Sequence, residues 1–366
     1  MTMGITWPLL ALILHRQGLS DSLIGLSSAS QSLAVFAAAP LAPRLIARAG
    51  LVRTIVASIA GVIAMLLLLP LTGNVYAWFP IRFLLGASAS TLFLATETWV
   101  NAIAEEETRG RTIGLFGFLW AAANASGPLV IRATGTVGWT PFIAGAALVL
   151  FAAAPLLAAS SLAPAVRGRA QGSVFRFMRL LPVAMASALL LGAVDYILDA
   201  FLPLYALHSG WGEAEAVTLL AVLLAGTTAA QLPAGWLADR LHRQRLLFGL
   251  AALSMVLCLV LPIAIGRAWA AYPTVLGLGA GLGAIWTVSV VMVGSRFRGA
   301  DLSAAYAAGG VLHGIGMVAG PIIAGFASAT LDPIAIPLIV ALCCLLYLPA
   351  TLVRLSRVAF PGPTSS

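Results

Sequence analysis

Charge is what this sequence has least of. Only 9% of its 366 residues are Asp, Glu, Lys or Arg, against about 25% in soluble domains. So few charges cannot cover a water-facing surface, and 61% of the residues are apolar. Most of the chain must therefore face lipid or its own interior, which leaves no room for a soluble domain. Lysine is absent, and all 20 basic residues are arginines. The net charge of +8 argues against a nucleic-acid partner once its placement is considered, because the arginines lie scattered between apolar runs. Cysteine is scarce too. Cys258, Cys343 and Cys344 sit inside apolar runs as packing or lipid-facing residues, with neither a disulfide framework nor a metal-ligand spacing. No Walker loop, Ser-His-Asp constellation or zinc spacing occurs. ATP-driven transport and enzymatic catalysis lose their support, and neither cofactor nor metal is expected. GLGAGLG at 277–283 lies within a continuous apolar run, so it reads as helix-packing glycines rather than a dinucleotide fingerprint.

What the chain has is a succession of long apolar runs. They fall at about 3–15, 22–42, 52–72, 76–100, 112–132 and 139–160, then at about 181–206, 214–236, 246–265, 270–294, 303–328 and 331–353. A spanning helix needs about 20 apolar residues, and lipid obliges each run to satisfy its own backbone, so the runs are expected to be helices. The arginines orient them. Sixteen of the twenty fall on one side: Arg44, Arg48 and Arg53; Arg109 and Arg111; Arg167, Arg169, Arg176 and Arg179; Arg240, Arg243 and Arg245; Arg296 and Arg298; and Arg354 and Arg357. The positive-inside rule makes that side cytoplasmic, with both termini there, in the cell inner (plasma) membrane. Asp21, Glu213, Glu215 and Asp332 lie on the opposite side. The first run is anomalous, since about fourteen residues precede His15 and Arg16 and cover only two-thirds of a bilayer core. It lacks the features of a signal peptide. A start upstream or a half-length first helix would account for it.

The chain also repeats itself. LLGASAS at 84–90 matches GLGAGLG at 277–283, placing Gly86 on Gly279 at an offset of 193. Gly127-Pro128 falls on Gly320-Pro321 at the same offset, and APLAPR at 39–44 matches GWLADR at 235–240 at an offset of 196. Parallel six-span repeats are what alternating-access transporters are built from. The expected fold is thus an all-α membrane protein of twelve transmembrane helices in two pseudo-symmetric six-helix bundles. Their expected limits are 1–160 and 181–353, with a cytoplasmic linker at 161–180 and a tail at 354–366.

PAGWLADRLHRQR at 233–245 resembles the loop signature of the major facilitator superfamily and lies between the eighth and ninth spans, where that family carries it. Arg82 with Gly86 resembles the family's buried-arginine motif, and SGP at 126–128 its Gly-Pro motif. ETWVN at 97–101 and RGRTIGLFG at 109–117 are similar to the YcaD-like branch. The resemblance covers essentially the whole chain. It departs in the first copy of the loop signature, where Ala39 and Pro43 replace the family's Gly and Asp while Arg44, Arg48 and Gly50 keep its basic character. The resemblance implies that Gly235 lets helices pack closely and that Asp239 approaches a helix start in the other half, here at Gly110, Arg111 and Thr112. Such a contact is worth about 0.5–2 kcal/mol and exists only while the cytoplasmic side is closed. Asp239, Arg240 and Arg111 would then form a cytoplasmic gate; the plainer alternative is an ordinary basic loop.

Several polar residues stand inside the runs. Arg82 lies too deep to be a topology signal and is costly unless paired or wetted; it serves proton coupling or substrate contact, or else is a structural arginine bonded to carbonyls or snorkelling outward. Asp195 and Asp199 are four apart, share one helix face, and can carry a proton or meet a cationic substrate. Their alternative place is the outer mouth, near Pro203 and His208. Glu97 is expected to bridge Arg44, Arg48 or Arg111 at the gate, with substrate binding as the alternative, and Glu105, Glu106 and Glu107 read as a solvated charge run. Asn124 and Ser126, with Thr227, Thr228 and Gln231, either join helices or line a cavity, and Trp286 and His313 are further cavity candidates. Gly127-Pro128 and Gly320-Pro321 allow bending and close packing. The resulting expectation is a monomeric, proton-coupled carrier of a small organic molecule, directed outward. Uptake of a metabolite or vitamin is the alternative, as is a transporter-like sensor that no longer transports.

Overall fold

A computed structural model describes residues 2–104, 109–158, 160, 180–297, 299–331 and 334–352. Among these the chain forms fourteen α-helices and no strand. The first half holds α1 (Thr2–Arg16), α2 (Asp21–Ala49), α3 (Leu51–Leu68, prolonged by a 3₁₀ turn over Leu69–Leu71), α4 (Val75–Ile103), α5 (Arg109–Ala125), α6 (Gly127–Thr134) and α7 (Thr140–Ala158). The second holds α8 (Pro182–His208), α9 (Glu213–Ala229), α10 (Gln231–Arg240), α11 (Arg243–Ala264), α12 (Ala268–Arg296), α13 (Gly299–Leu331) and α14 (Ala335–Leu352). The expected linker at 161–180, except Leu180, and the tail at 354–366 lie outside the described residues, as do Glu105, Glu106, Glu107 and Asp332.

Connections are short and made by residues suited to them. Gly50, at φ +86°, turns α2 directly into α3, a conformation that costs glycine nothing. The Asn74 side chain accepts the Tyr76 amide at 2.9 Å and so caps α4. Gly18 and Gly210, both at positive φ, each lie two residues past the ends of α1 and α8.

Among the described residues, nine helical segments are long and apolar enough to cross a membrane, and α2, bent by 55° between its portions 21–38 and 41–49, makes a tenth. The α9–α10 pair counts as one of the nine, Glu213–Arg240. The remaining two of the expected twelve are α1, which has 15 residues, and α5–α6, whose pieces have 17 and 8 residues. Leucine, isoleucine and phenylalanine side chains stand exposed around the outside, as at Phe151, Ile263 and Leu346, where a bilayer is the only solvent that suits them.

Helices meet at glycine notches. A Cβ at Gly86 would collide with the Gln31 carbonyl of α2, and one at Gly279 with the Leu223 carbonyl of α9. The α2–α4 and α9–α12 contacts are thus the same contact, made once per half. Gly127 likewise abuts Gly4 of α1, and Gly320 abuts Ala193 of α8. Without much hydrophobic driving force between helices in lipid, such close backbone approach supplies the van der Waals contact that holds them together. Across the halves, α2 lies against α13 through Gly25 on Pro321 and Gly325 on Asp21.

Candidate functional site

Buried polarity in the first half centres on Arg82. It is 0% exposed and meets no carboxylate among the described residues. Its Nε donates to Gln31 Oε1 at 3.2 Å, and its terminal nitrogens donate to Ser27 Oγ at 3.0 Å and Ser28 Oγ at 3.4 Å. Gln31 is itself fixed by donating to Thr6 Oγ1 at 3.1 Å. The guanidinium carbon stands 5.8 Å from the centroid of the Trp7 ring, within cation–π range. Three helices therefore build a cage of neutral oxygens and one aromatic face around a cation. Arg82 is held by side-chain oxygens, and among the described residues it neither snorkels nor bonds backbone carbonyls.

Trp7 carries the cluster into the other half. Its ring meets Tyr196 of α8 edge-on at 4.7 Å, Tyr196 lies 6.0 Å from His313 of α13, and His313 lies 5.8 Å from Trp286 of α12. Asp195 and Asp199 flank Tyr196 on α8, the most enclosed of the candidate spans, yet at positions that are not fully buried. Neither aspartate has a hydrogen bond or ion pair among the described residues. Two donor-bearing groups in the same cluster are also unsatisfied: Trp7 Nε1 and His313 Nδ1 are buried without a partner among the described residues. A buried unsatisfied group costs about 1–3 kcal/mol, so the centre is chemically incomplete as it stands.

One end of the molecule is bridged across the halves. Arg16 pairs with Glu213 and donates to Thr136, whose hydroxyl in turn donates to Glu213. His15 and His208 meet edge-on at 4.8 Å. Ser328 donates to the Asp21 carboxylate, and Arg132 donates to Thr218 at 3.0 Å. This is the end opposite most of the arginines, hereafter the far end. At the arginine-rich end Asp239 is exposed and, like the side chains of Arg44, Arg48 and Glu97, has no hydrogen bond or ion pair among the described residues. Arg240 stacks on Trp236 of its own helix, 3.8 Å from the ring centroid. The Arg111 side chain lies outside the described residues. A Cβ at Gly235 would meet only Thr287, at 4.0 Å, so no contact in this arrangement demands that glycine.

The remaining candidates do local work. Asn124 accepts the Gly4 amide at 3.1 Å and donates to the Trp120 carbonyl, tying α5 to α1. Ser126, Thr227 and Thr228 donate to carbonyls of their own helical segments. Gln231 is half-buried. Sequence reasoning overlooked Ser27, Ser28, Gln31, Thr6 and Trp7, although three polar residues at 27, 28 and 31 within an apolar run were a visible signal. It also overlooked that His15 and His208 are separated by the repeat offset.

Two helical halves, packed by equivalent notches and enclosing charge where they meet, define a polytopic membrane transporter rather than an enzyme. The chain belongs to the Major Facilitator Superfamily, whose model matches residues 1–282 and 184–365. It is 22% identical over 335 residues, 90% of this chain and 85% of the other, to the MFS-type transporter YfkF of Bacillus subtilis. It is 23% identical over 172 residues to YcaD of Escherichia fergusonii, covering 46% of this chain and 44% of that one. Among solved structures, a bacterial homolog of the human lysosomal transporter Spinster, inward-facing and unoccupied, shares the fold at TM-score 0.76 and 14% identity, covering 96% of this chain and 93% of the other. A point mutant of the nucleoside transporter NupG does so at TM-score 0.76 and 15% identity, covering 96% and 95%.

Proposed function

We propose that this transporter moves a small organic solute outward by alternating access, coupled to protons at Asp195 and Asp199, as a monomer in the cell inner membrane. The observation that carries this reading is the asymmetry of contacts between the halves. The far end is bridged by Arg16, Glu213, Thr136 and the histidine pair, while Asp239, Arg44, Arg48 and Glu97 stand without partners among the described residues. With the arginine-rich end cytoplasmic and both termini there, this is the arrangement of a carrier open to the cytoplasm. Asp239 then gains its helix-start partner at α5 when the carrier reverses. Two carboxylates one helical turn apart and free of counter-ions among the described residues suit a group that loads a proton on one side and releases it on the other.

The test is flux of a solute panel through inverted membrane vesicles under an imposed pH gradient. Accumulation driven by an acidic lumen, lost on collapsing the gradient and in Asp195→Asn/Asp199→Asn, is the expected outcome. Flux in the opposite sense would make the carrier an importer. No gradient-dependent flux of any solute, with the protein folded in the vesicles, would overturn the reading.

A further inference from the structure

We infer that the cargo is an aromatic organic cation, held at the centre by the Asp195–Asp199 pair between Tyr196 and Trp286; this rests on the transporter reading above. Among the described residues, Arg82, Asp195 and Asp199 are charged side chains set deep within the candidate spans, and the arginine is already engaged. Three neutral oxygens hold its guanidinium, it lies against Trp7, and it is wholly buried. An anion entering between the halves would find no open cation and would face two carboxylates. A cation would find the reverse. Neither aspartate has an ion pair among the described residues, where the one ion pair, Arg16–Glu213, lies at the far end.

The surroundings of the carboxylates point the same way. Tyr196 separates them along α8 and presents its ring to Trp7 on one side and His313 on the other. Trp286 adjoins His313 and is 45% exposed, although residues 281–285 just before it are all buried. A large aromatic left open, joined through His313 to the tyrosine that lies between two carboxylates, supplies the two elements that bind organic cations, since ring face and carboxylate each attract positive charge.

Two xanthene dyes of opposite charge test the inference: rhodamine 6G, a cation with ester and ether-type oxygens, and fluorescein, an anion on the same ring system. Binding to the full chain in nanodiscs is read by fluorescence polarisation, with empty nanodiscs subtracted. The wild type should bind rhodamine 6G and not fluorescein, with tetraphenylphosphonium competing. Asp195→Asn/Asp199→Asn should lower rhodamine affinity at least tenfold, and Trp286→Leu, at a half-exposed position, several-fold without loss of thermal stability. Fluorescein binding as well as rhodamine 6G, or unchanged rhodamine affinity in the folded double variant, would overturn the cation reading. The outcome is separable from that of the vesicle experiment. Gradient-driven flux confined to neutral or anionic solutes would sink this inference and leave proton-coupled transport standing.

Discussion

At the offset of 193, Ser27, Ser28, Gln31 and Arg82 of the first half correspond to Leu220, Ala221, Leu224 and Val275 of the second. The cage around the buried cation thus has an all-apolar twin. The exchange runs the other way at Thr6, whose counterpart is Asp199. Meanwhile the helix-packing positions agree between halves, Gly86 with Gly279 and Gly127 with Gly320, each pressed against the backbone of the equivalent partner helix. A repeated scaffold therefore holds two different interiors. The first half stores a fixed positive charge held by three hydrogen bonds; the second offers two negative charges that have no bonds among the described residues. The notches demand agreement because backbone geometry leaves no alternative to glycine, whereas the interior positions are free to diverge.

Removing the stored charge should hurt most. Arg82→Leu strips donors from three buried oxygens, at about 1–3 kcal/mol each, so a large loss of thermal stability and of all transport is expected. Thiol labelling of Cys258 and Cys344, both buried, during a temperature ramp reads the former. The second half should respond in the opposite sense: Asp195→Asn/Asp199→Asn removes charges that have no bonds, and should keep or raise the melting temperature while abolishing gradient-driven flux. Equal destabilisation by the two changes would break the comparison. Next come the notches. Gly86→Ala and Gly279→Ala force apart equivalent helix pairs, each at about 1–3 kcal/mol; Gly86→Ala should also cut transport rate, since it pushes on Gln31 of the cage. Equal rates in the two folded variants would show that the cage tolerates that push.

The ends of the molecule supply the smaller effects. Arg16 and Glu213 are partly exposed, and such pairs contribute about 0.2–1 kcal/mol. Glu213→Ala should therefore shift the balance of states by no more than about fivefold, seen as faster labelling of a cysteine placed at Thr136. Asp239→Ala should leave the far-end-bridged state unchanged and deplete the reverse state several-fold. Unaltered transport and unaltered labelling in that variant would remove Asp239 from any gate.

Scarcity of charge, the alternation of arginines and the glycine repeats made the helical membrane fold legible, because lipid leaves few ways to satisfy a backbone. The burial of Arg82 was legible for the same reason, since its depth in the run could be counted. Its partners were not. Sequence spacing says which residues share a helix face, but not that Gln31 on α2 and Trp7 on α1 converge on an arginine of α4. The gate between Asp239 and α5 was read from a loop signature, and its expected partner helix start is at Gly110, Arg111 and Thr112, where the Arg111 side chain lies outside the described residues. The shortness of the first run came through directly as the 15 residues of α1. The break of the fifth run at Ser126 did not announce itself, because its flanking glycine and proline also suit a continuous helix in lipid.

The contact between His15 and His208 has a further meaning. In a two-fold dimer, a residue lying on the axis touches its own copy, so one substitution alters both sides of the contact at once. Here the two copies have been written into a single gene and can change one at a time. An internal repeat of this kind carries a self-complementary seam whose two sides are free to differ. The histidine pair remains matched, while beside it Arg16 faces a glutamate that has no acidic equivalent at Ser20. The far end is in this sense a homodimer interface partway through becoming a heterodimer one.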